Sequence, residues 1–191
     1  MVAQSTGETL TDAERATLLK LARATLCSYL RDRSIPPLPA LTSHLGERRG
    51  CFVTLHRRGR LRGCIGRFTP SEHETGLPLA RVVQQMAIEA ATGDPRFAPV
   101  TDAEVDELEI EISVLAPSRK IIRPEEIVVG CHGLIVSTGS RRGVLLPQVP
   151  VEQGWDRETF LDQTCLKAGL DRQAWRRDGV ILEVFTAEVF S

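Results

Sequence analysis

The stretch "CFVTLHRRGRLRGCIGRF", residues 51–68, decides how the fold is read. Two strand-like runs flank Arg58-Gly59, the pattern of a β-hairpin. The second arm carries Gly63 and Gly66. A glycine inside a strand weakens it, unless a bulge or a close backbone approach needs the missing side chain. Cys64 lies between them. A lone cysteine in a strand is ordinarily a small buried hydrophobe. Residues i and i+2 share a strand face, however, so Arg62 is expected beside Cys64, where a guanidinium favours the thiolate. The register is open. A two-residue Arg58-Gly59 turn puts Val53 across from Cys64, whereas a three-residue loop with Gly59 left-handed puts Phe52 there. Only the first register brings Cys51 onto the face of Cys64.

Upstream, Thr11 with Glu14 forms a capping box, and Leu18, Leu19, Ala22, Leu26, Tyr29 and Leu30 give the run to about Arg33 one apolar face. The prolines of "SIPPLPALTSHLGERRG" then exclude helix and central strand. Downstream, Pro78 to Gly93 reads as a second helix with Leu79, Val82, Val83, Met86, Ala87 and Ala90 inward. Thr101 with Glu104 caps a short turn before "LEIEISVL", a strand with Glu109, Glu111 and Ser113 on one wet face. After a proline-interrupted segment, "HGLIVSTGSRRGVLLPQ" gives another hairpin, Asp156 to Ala168 a third helix, and "GVILEVFTAEVF" one closing strand. Hairpin-then-helix thus occurs twice. Local hairpins predict an α+β fold built on largely antiparallel sheet with flanking helices, not a parallel one. Without a long linker, residues 11–190 are expected to form one domain of two unequal lobes, behind a flexible N-terminus over 1–10.

The chain has 191 residues, 42% hydrophobic and 26% charged, with net charge −1, so it has no global pull toward nucleic acid or anionic membrane. Neither a membrane-length apolar stretch nor a signal peptide is visible, which together with five widely spaced cysteines of no framework pattern places the chain in a reducing cytoplasm. No zinc-ligand spacing occurs, so no metal site is expected.

His132, at a strand entrance in "GCHGLIV", is the candidate general base for a Cys64 nucleophile. Most such loop histidines merely bond to backbone. Asp94 and Arg96, in "GDPRFAPV", read either as a salt-bridged turn or as a carboxylate that orients and a guanidinium that binds an anion. Alternation alone accounts for Glu109 and Glu111 as solvated positions. Cys165 belongs to the apolar face of its helix. The cluster Arg48, Arg49, Arg57, Arg58, Arg60, Arg62 and Arg67 is opposed nearby only by Glu47 and suggests a local anion-binding surface. Aromatic content of 5% leaves few stacking platforms for single-stranded nucleic acid.

"LRGCIG", "DPRFAPV", "CHGLIV", "LLPQVPVEQGW" and "TCLKAGL" occur in the order found in the AMMECR domain family, which includes protein A of the AmmeMemoRadiSam system. The resemblance spans about residues 11–190. It implies two unequal, packed subdomains with repeated β and α units, and a site around Arg62, Gly63, Cys64 and Gly66, with Asp94, Arg96 and His132 in the other matching motifs. Prokaryotic relatives are encoded with, or fused to, a Memo-like protein and a radical S-adenosylmethionine enzyme, which implies a shared pathway. The resemblance brings no settled reaction, substrate or cofactor. A cysteine-centred enzyme, a non-catalytic scaffold for those partners and an RNA-binding module are the readings it leaves.

Overall fold

The hairpin forms where its sequence places it. In the computed structural model, which describes residues 9–68 and 76–191, α1 (Asp12–Asp32) and the short α2 (Ser43–Gly46) precede it. Strand β1 (Cys51–Arg57) then turns into β2 (Arg60–Arg67). Arg58 and Gly59 hold φ of 53° and 71°, the two left-handed residues of a type I′ turn. Helix α3 (Leu79–Thr92) and strand β3 (Leu108–Leu115) follow, joined through a 3₁₀ turn at Asp102–Glu107. Strand β4 (Arg119–Ile121), hairpin strands β5 (Gly133–Thr138) and β6 (Arg141–Leu145), helices α4 (Gln148–Glu152) and α5 (Arg157–Lys167), and strands β7 (Ile181–Phe185) and β8 (Ala187–Phe190) complete the chain.

Two antiparallel sheets result, with strand orders β2-β1-β3-β8 and β4-β7-β5-β6, so the fold is α+β. Contacts divide the chain into one unit of residues 1–115 with 188–191 and another of residues 116–187. In the first unit, α1 and α3 lie on one sheet face. Cys51, Val53 and Leu55 of β1 meet Val83, Ala87 and Ala90 of α3 in a fully closed core. In the second, α5 covers β5 and β6, burying Phe160, Leu161 and Cys165 against Leu134 and Val136. The repeated hairpin-plus-helix is therefore present in each unit.

Helix α1 starts at the expected capping box. Thr11 accepts from the Glu14 N–H, and Glu14 accepts in return from the Thr11 N–H at 2.9 Å. The same buried carboxylate binds the Thr42 hydroxyl and His44 Nδ1 (3.0 Å), tying α1 to α2, and these bonds hold its pKa at about 2. The expectation of a flexible stretch over 1–10 falls mostly on residues 1–8, outside the described ones. Leu10 is buried and donates its N–H to Glu188 at 3.1 Å.

Five expectations are corrected. The segment 34–50, where prolines were expected to exclude helix, holds the short α2, which starts after the last of them, Pro39. The single closing strand is two, because Thr186 interrupts pairing and β7 and β8 join different sheets. The proline-rich connection contains β4 and a 3₁₀ turn at Pro124–Glu126. Ser113 is buried, so the wet face of β3 is confined to Glu109 and Glu111. The hairpin has the two-residue turn, yet neither proposed register. Arg57 pairs with Arg60 and His56 with Leu61, then a bulge inserts Arg62 and Leu55 pairs with Gly63, so Thr54 stands across from Cys64.

Candidate functional site

The bulge sorts the residues of the LRGCIG segment between the two sheet faces. Thr54 alternates with the core-facing Val53 and Leu55, so Thr54 and Cys64 occupy the opposite face, away from α3. Cys51 is fully buried in the core, where burial pushes its thiol up to about 12. The register that put Cys51 beside Cys64 is thereby excluded, and with it a dithiol. Cys64 is half-buried, and its sulfur accepts from the Thr54 hydroxyl at 3.3 Å. Thr54 pairs on its other side with Glu111 of β3, whose side chain makes no hydrogen bond or ion pair among the described residues.

Arg62 does not stand beside the thiol. As the extra residue of the bulge it breaks the alternation on which that expectation rested. Its guanidinium closes on Glu104 (Nε–Oε1 3.0 Å) and donates to the Ala98 carbonyl at 2.8 Å. Arg57 holds the same carboxylate at 2.8 Å, and the Arg62 guanidinium with the Thr101 N–H and hydroxyl holds the Glu104 pKa at about 2. Four of the seven arginines in the cluster are paired with carboxylates. Arg49 pairs with Glu188 (3.3 Å), Arg57 with Glu104 and Glu107, Arg58 with Glu107 (2.8 Å), and Arg62 with Glu104. Those carboxylates are remote in sequence, which is why a local charge count missed them.

Asp94 and Arg96 do reach Cys64. Because β2 is a sheet edge, the Cys64 N–H and C=O point off the sheet. Asp94 Oδ2 accepts that N–H at 2.9 Å, and Arg96 Nη2 donates to that carbonyl at 3.3 Å. The loop after α3 thus substitutes for a neighbouring strand. Asp94 Oδ1 also accepts from the Arg96 N–H (3.0 Å) and Nε (2.9 Å), and Oδ2 from Nη2 (2.7 Å). Four donors on one buried carboxylate hold it well below the usual range, the Arg96 guanidinium contributing most. Arg96 Nη1 makes no bond to these partners, and the side chain is 54% exposed.

The two glycines have packing explanations. A Cβ on Gly63 would sit 2.0 Å from the Ala90 carbonyl oxygen, so α3 packs directly on the β2 backbone. A Cβ on Gly66 would sit 2.1 Å from the Phe52 ring, which lies flat over that position and meets Phe68 edge-on at 5.3 Å.

His132 belongs to the second unit, whereas Cys64, Asp94 and Arg96 belong to the first. Its Nδ1 accepts from the Val128 N–H at 3.2 Å. Burial and the Arg119 charge lower its pKa, while the Glu126 carbonyl opposes the fall. The ring is therefore neutral near pH 7, and an occupied Nδ1 leaves the proton on Nε2. Among the described residues, no cluster of three His, Cys, Asp or Glu side chains is placed to hold a metal, and no helix is long and apolar enough to cross a membrane.

The profile of the AMMECR1 family matches residues 19–190. The chain belongs to the AMMECR1 family. This AMMECR1 chain is 45% identical to Protein MK0488 of Methanopyrus kandleri over 96% of its own length and 91% of the relative's. It is 42% identical to Protein MJ0810 of Methanocaldococcus jannaschii, over 95% and 91%. The crystal structure of the uncharacterised protein PH0010 from Pyrococcus horikoshii has the same fold, with a TM-score of 0.79 and 43% identity over 90% of this chain and 88% of that one. Thr54 and Glu104 are the site neighbours that sequence reading missed. No spacing places either beside the LRGCIG strand, since one depends on the bulge and the other, marked only as a helix cap, on a turn folding back.

Proposed function

We propose that this AMMECR1 protein is a cytoplasmic enzyme that uses Cys64 as a nucleophile or covalent carrier. The observation that carries the reading is the half-buried Cys64 sulfur, receiving a hydrogen bond from Thr54 while Asp94 and Arg96 fix its backbone. A hydroxyl donating to sulfur is the arrangement a thiolate needs. Arg96, buttressed by Asp94 and open to solvent, is proposed to bind an anionic group of the substrate through Nη1. His132, the base expected from the sequence, lies in the second unit and has Nδ1 occupied by the Val128 N–H. Gly63 and Gly66 serve the site by fixing the strand between α3 and Phe52. The family resemblance supports action in one pathway with a Memo-like protein and a radical S-adenosylmethionine enzyme.

The test is alkylation of Cys64 by iodoacetamide across pH, in the native chain and in Thr54→Val. The native rate near pH 7 is expected to exceed that of a free thiol at least tenfold, and Thr54→Val, which removes the hydrogen bond to the sulfur, to bring it back toward the free-thiol rate. A native rate equal to that of a free cysteine overturns the reading.

A second reading has its own support. Arg62, Gly63, Gly66 and Asp94 all have pairing or packing roles that need no substrate. On that reading the chain is a non-catalytic binding component for the same two partners, and co-purification with them survives Cys64→Ser.

A further inference from the structure

Edge strand β2 of the first sheet is closed by Asp94 and Arg96, whereas β6, an edge of the second sheet, has no such cover. The two-residue loop Gly139-Ser140 makes Thr138 and Arg141 the closing hydrogen-bonded pair of the β5-β6 hairpin. Bonded and non-bonded pairs then alternate. Arg141, Gly143 and Leu145 turn their backbone groups toward β5, and Arg142 and Val144 turn theirs outward. Neither the N–H nor the C=O of these two residues has a hydrogen-bond partner among the described residues. Such a row is a template for another strand.

The side chains along this edge say what strand it takes. Gly143 packs on the end of α5, where a Cβ would run into the Thr164 carbonyl oxygen, so Arg142 and Val144 share the opposite face. Arg142 is exposed and its side chain makes no hydrogen bond or ion pair among the described residues, while Val144 is half-buried. Arg141, also exposed, donates Nη1 to the Gly169 carbonyl at 3.1 Å and has no carboxylate partner. Lys167, in the last turn of α5, adds a third unpaired cation. The neighbouring carboxylates are engaged or distant. Asp171, two residues after Gly169, is held by Arg177 at 3.0 Å. Glu183 shares the face of Val144 but lies beyond β5, where it accepts from Ser118 at 3.0 Å. A second copy of β6 fits poorly, because antiparallel pairing about Gly143 would bring four arginines to one seam.

We propose that β6 is a docking edge for an extended acidic segment of a partner protein. The segment adds antiparallel, like every strand pair assigned in this sheet, with an aliphatic side chain opposite Val144 and, two residues later, a carboxylate opposite Arg142. A second carboxylate follows at Arg141. Nothing in the Cys64 reading requires this edge.

The capped peptide Thr-Val-Thr-Glu-Glu is the probe, in an amide-resolved NMR titration of the full chain. Saturable shifts are expected over residues 141–145 and the adjoining 134–138. N-methylation of the valine and the first glutamate, whose backbone groups face β6, abolishes binding, whereas N-methylation of the threonine between them leaves it. Arg142→Glu, at an exposed position, weakens the peptide roughly three- to tenfold, the loss of one exposed charge pair and the gain of a repulsion. The same variant binds Thr-Val-Thr-Lys-Lys in its place. Equal binding of the doubly N-methylated peptide, the sign of charge attraction alone, overturns the proposal. So do equal binding of the lysine peptide to the native chain, shifts scattered away from β6, and broadening at 141–145 that grows with protein concentration before peptide is added, the sign of β6 paired with a second copy.

Discussion

Replacing Asp94 by Asn tests the device that fixes the Cys64 strand. In the native chain Oδ1 accepts from the Arg96 N–H and Nε, and Oδ2 from the Cys64 N–H and Arg96 Nη2. An amide of the same shape keeps one oxygen. Whichever way it is turned, two of these four donors face an NH₂ group instead of an acceptor. A buried donor left unsatisfied costs about 1–3 kcal/mol. The share lost by Arg96 is discounted, because its side chain is 54% exposed and water replaces the missing acceptor. Either orientation leaves one backbone N–H, of Cys64 or of Arg96, without its acceptor, so the total is about 1–3 kcal/mol. That is less than the stability of an ordinary domain, so the variant folds. Urea unfolding at pH 7 should show a lower midpoint at unchanged slope. Hydrogen exchange should accelerate at the Cys64 amide or at the Arg96 amide, whichever faces the NH₂ group. The native advantage also depends on pH with a definite sign. Asp94 has a depressed pKa in the folded state, so its contribution is complete above the ordinary carboxylate range and disappears as pH falls through and below it. A loss under about 1 kcal/mol at pH 7, or unchanged exchange at both the Cys64 and the Arg96 amides, refutes the edge-capping account.

Gly63→Ala should destabilise the chain by about 3 kcal/mol, because the clash is with the Ala90 backbone, whereas the Gly66→Ala clash is with the Phe52 side chain and Phe52→Ala should relieve it. Thermal midpoints of the two single variants and of the Gly66→Ala/Phe52→Ala pair check this. Since Arg62 is held by Glu104 and not by the thiol, Arg62→Gln should leave the Cys64 alkylation rate within twofold of native, while Arg96→Gln slows it. Glu14 titrates near 2 when folded, so its bonds to Thr11, Thr42 and His44 stabilise above about pH 4.5 and are lost as pH falls toward 2. Urea midpoints of native and Glu14→Gln chains should therefore converge across that window.

The sequence by itself determined the elements. Capping boxes at Thr11 and Thr101, the Arg58-Gly59 turn, apolar periodicity in α1 and α3, and Asp156 at the start of α5 are local chemistry, and each element stands where that chemistry puts it. The antiparallel α+β class and the hairpin-plus-helix repeat followed from the same signals, as did the proximity of Asp94 and Arg96, two residues apart in one turn. What surrounds Cys64 was not local. One bulge residue shifted the register, gave Thr54 to the thiol and turned Arg62 toward Glu104, reversing the inference drawn from strand alternation. A bulge is set by the packing of Gly63 under α3 and by ion pairs with a distant turn, and no spacing in β2 encodes either. For the same reason seven arginines that look like a cationic surface in sequence are largely paired in the fold. Charge near in sequence is read from the chain alone, but charge near in space exists only after the turn at Asp102–Glu107 has folded back onto the hairpin.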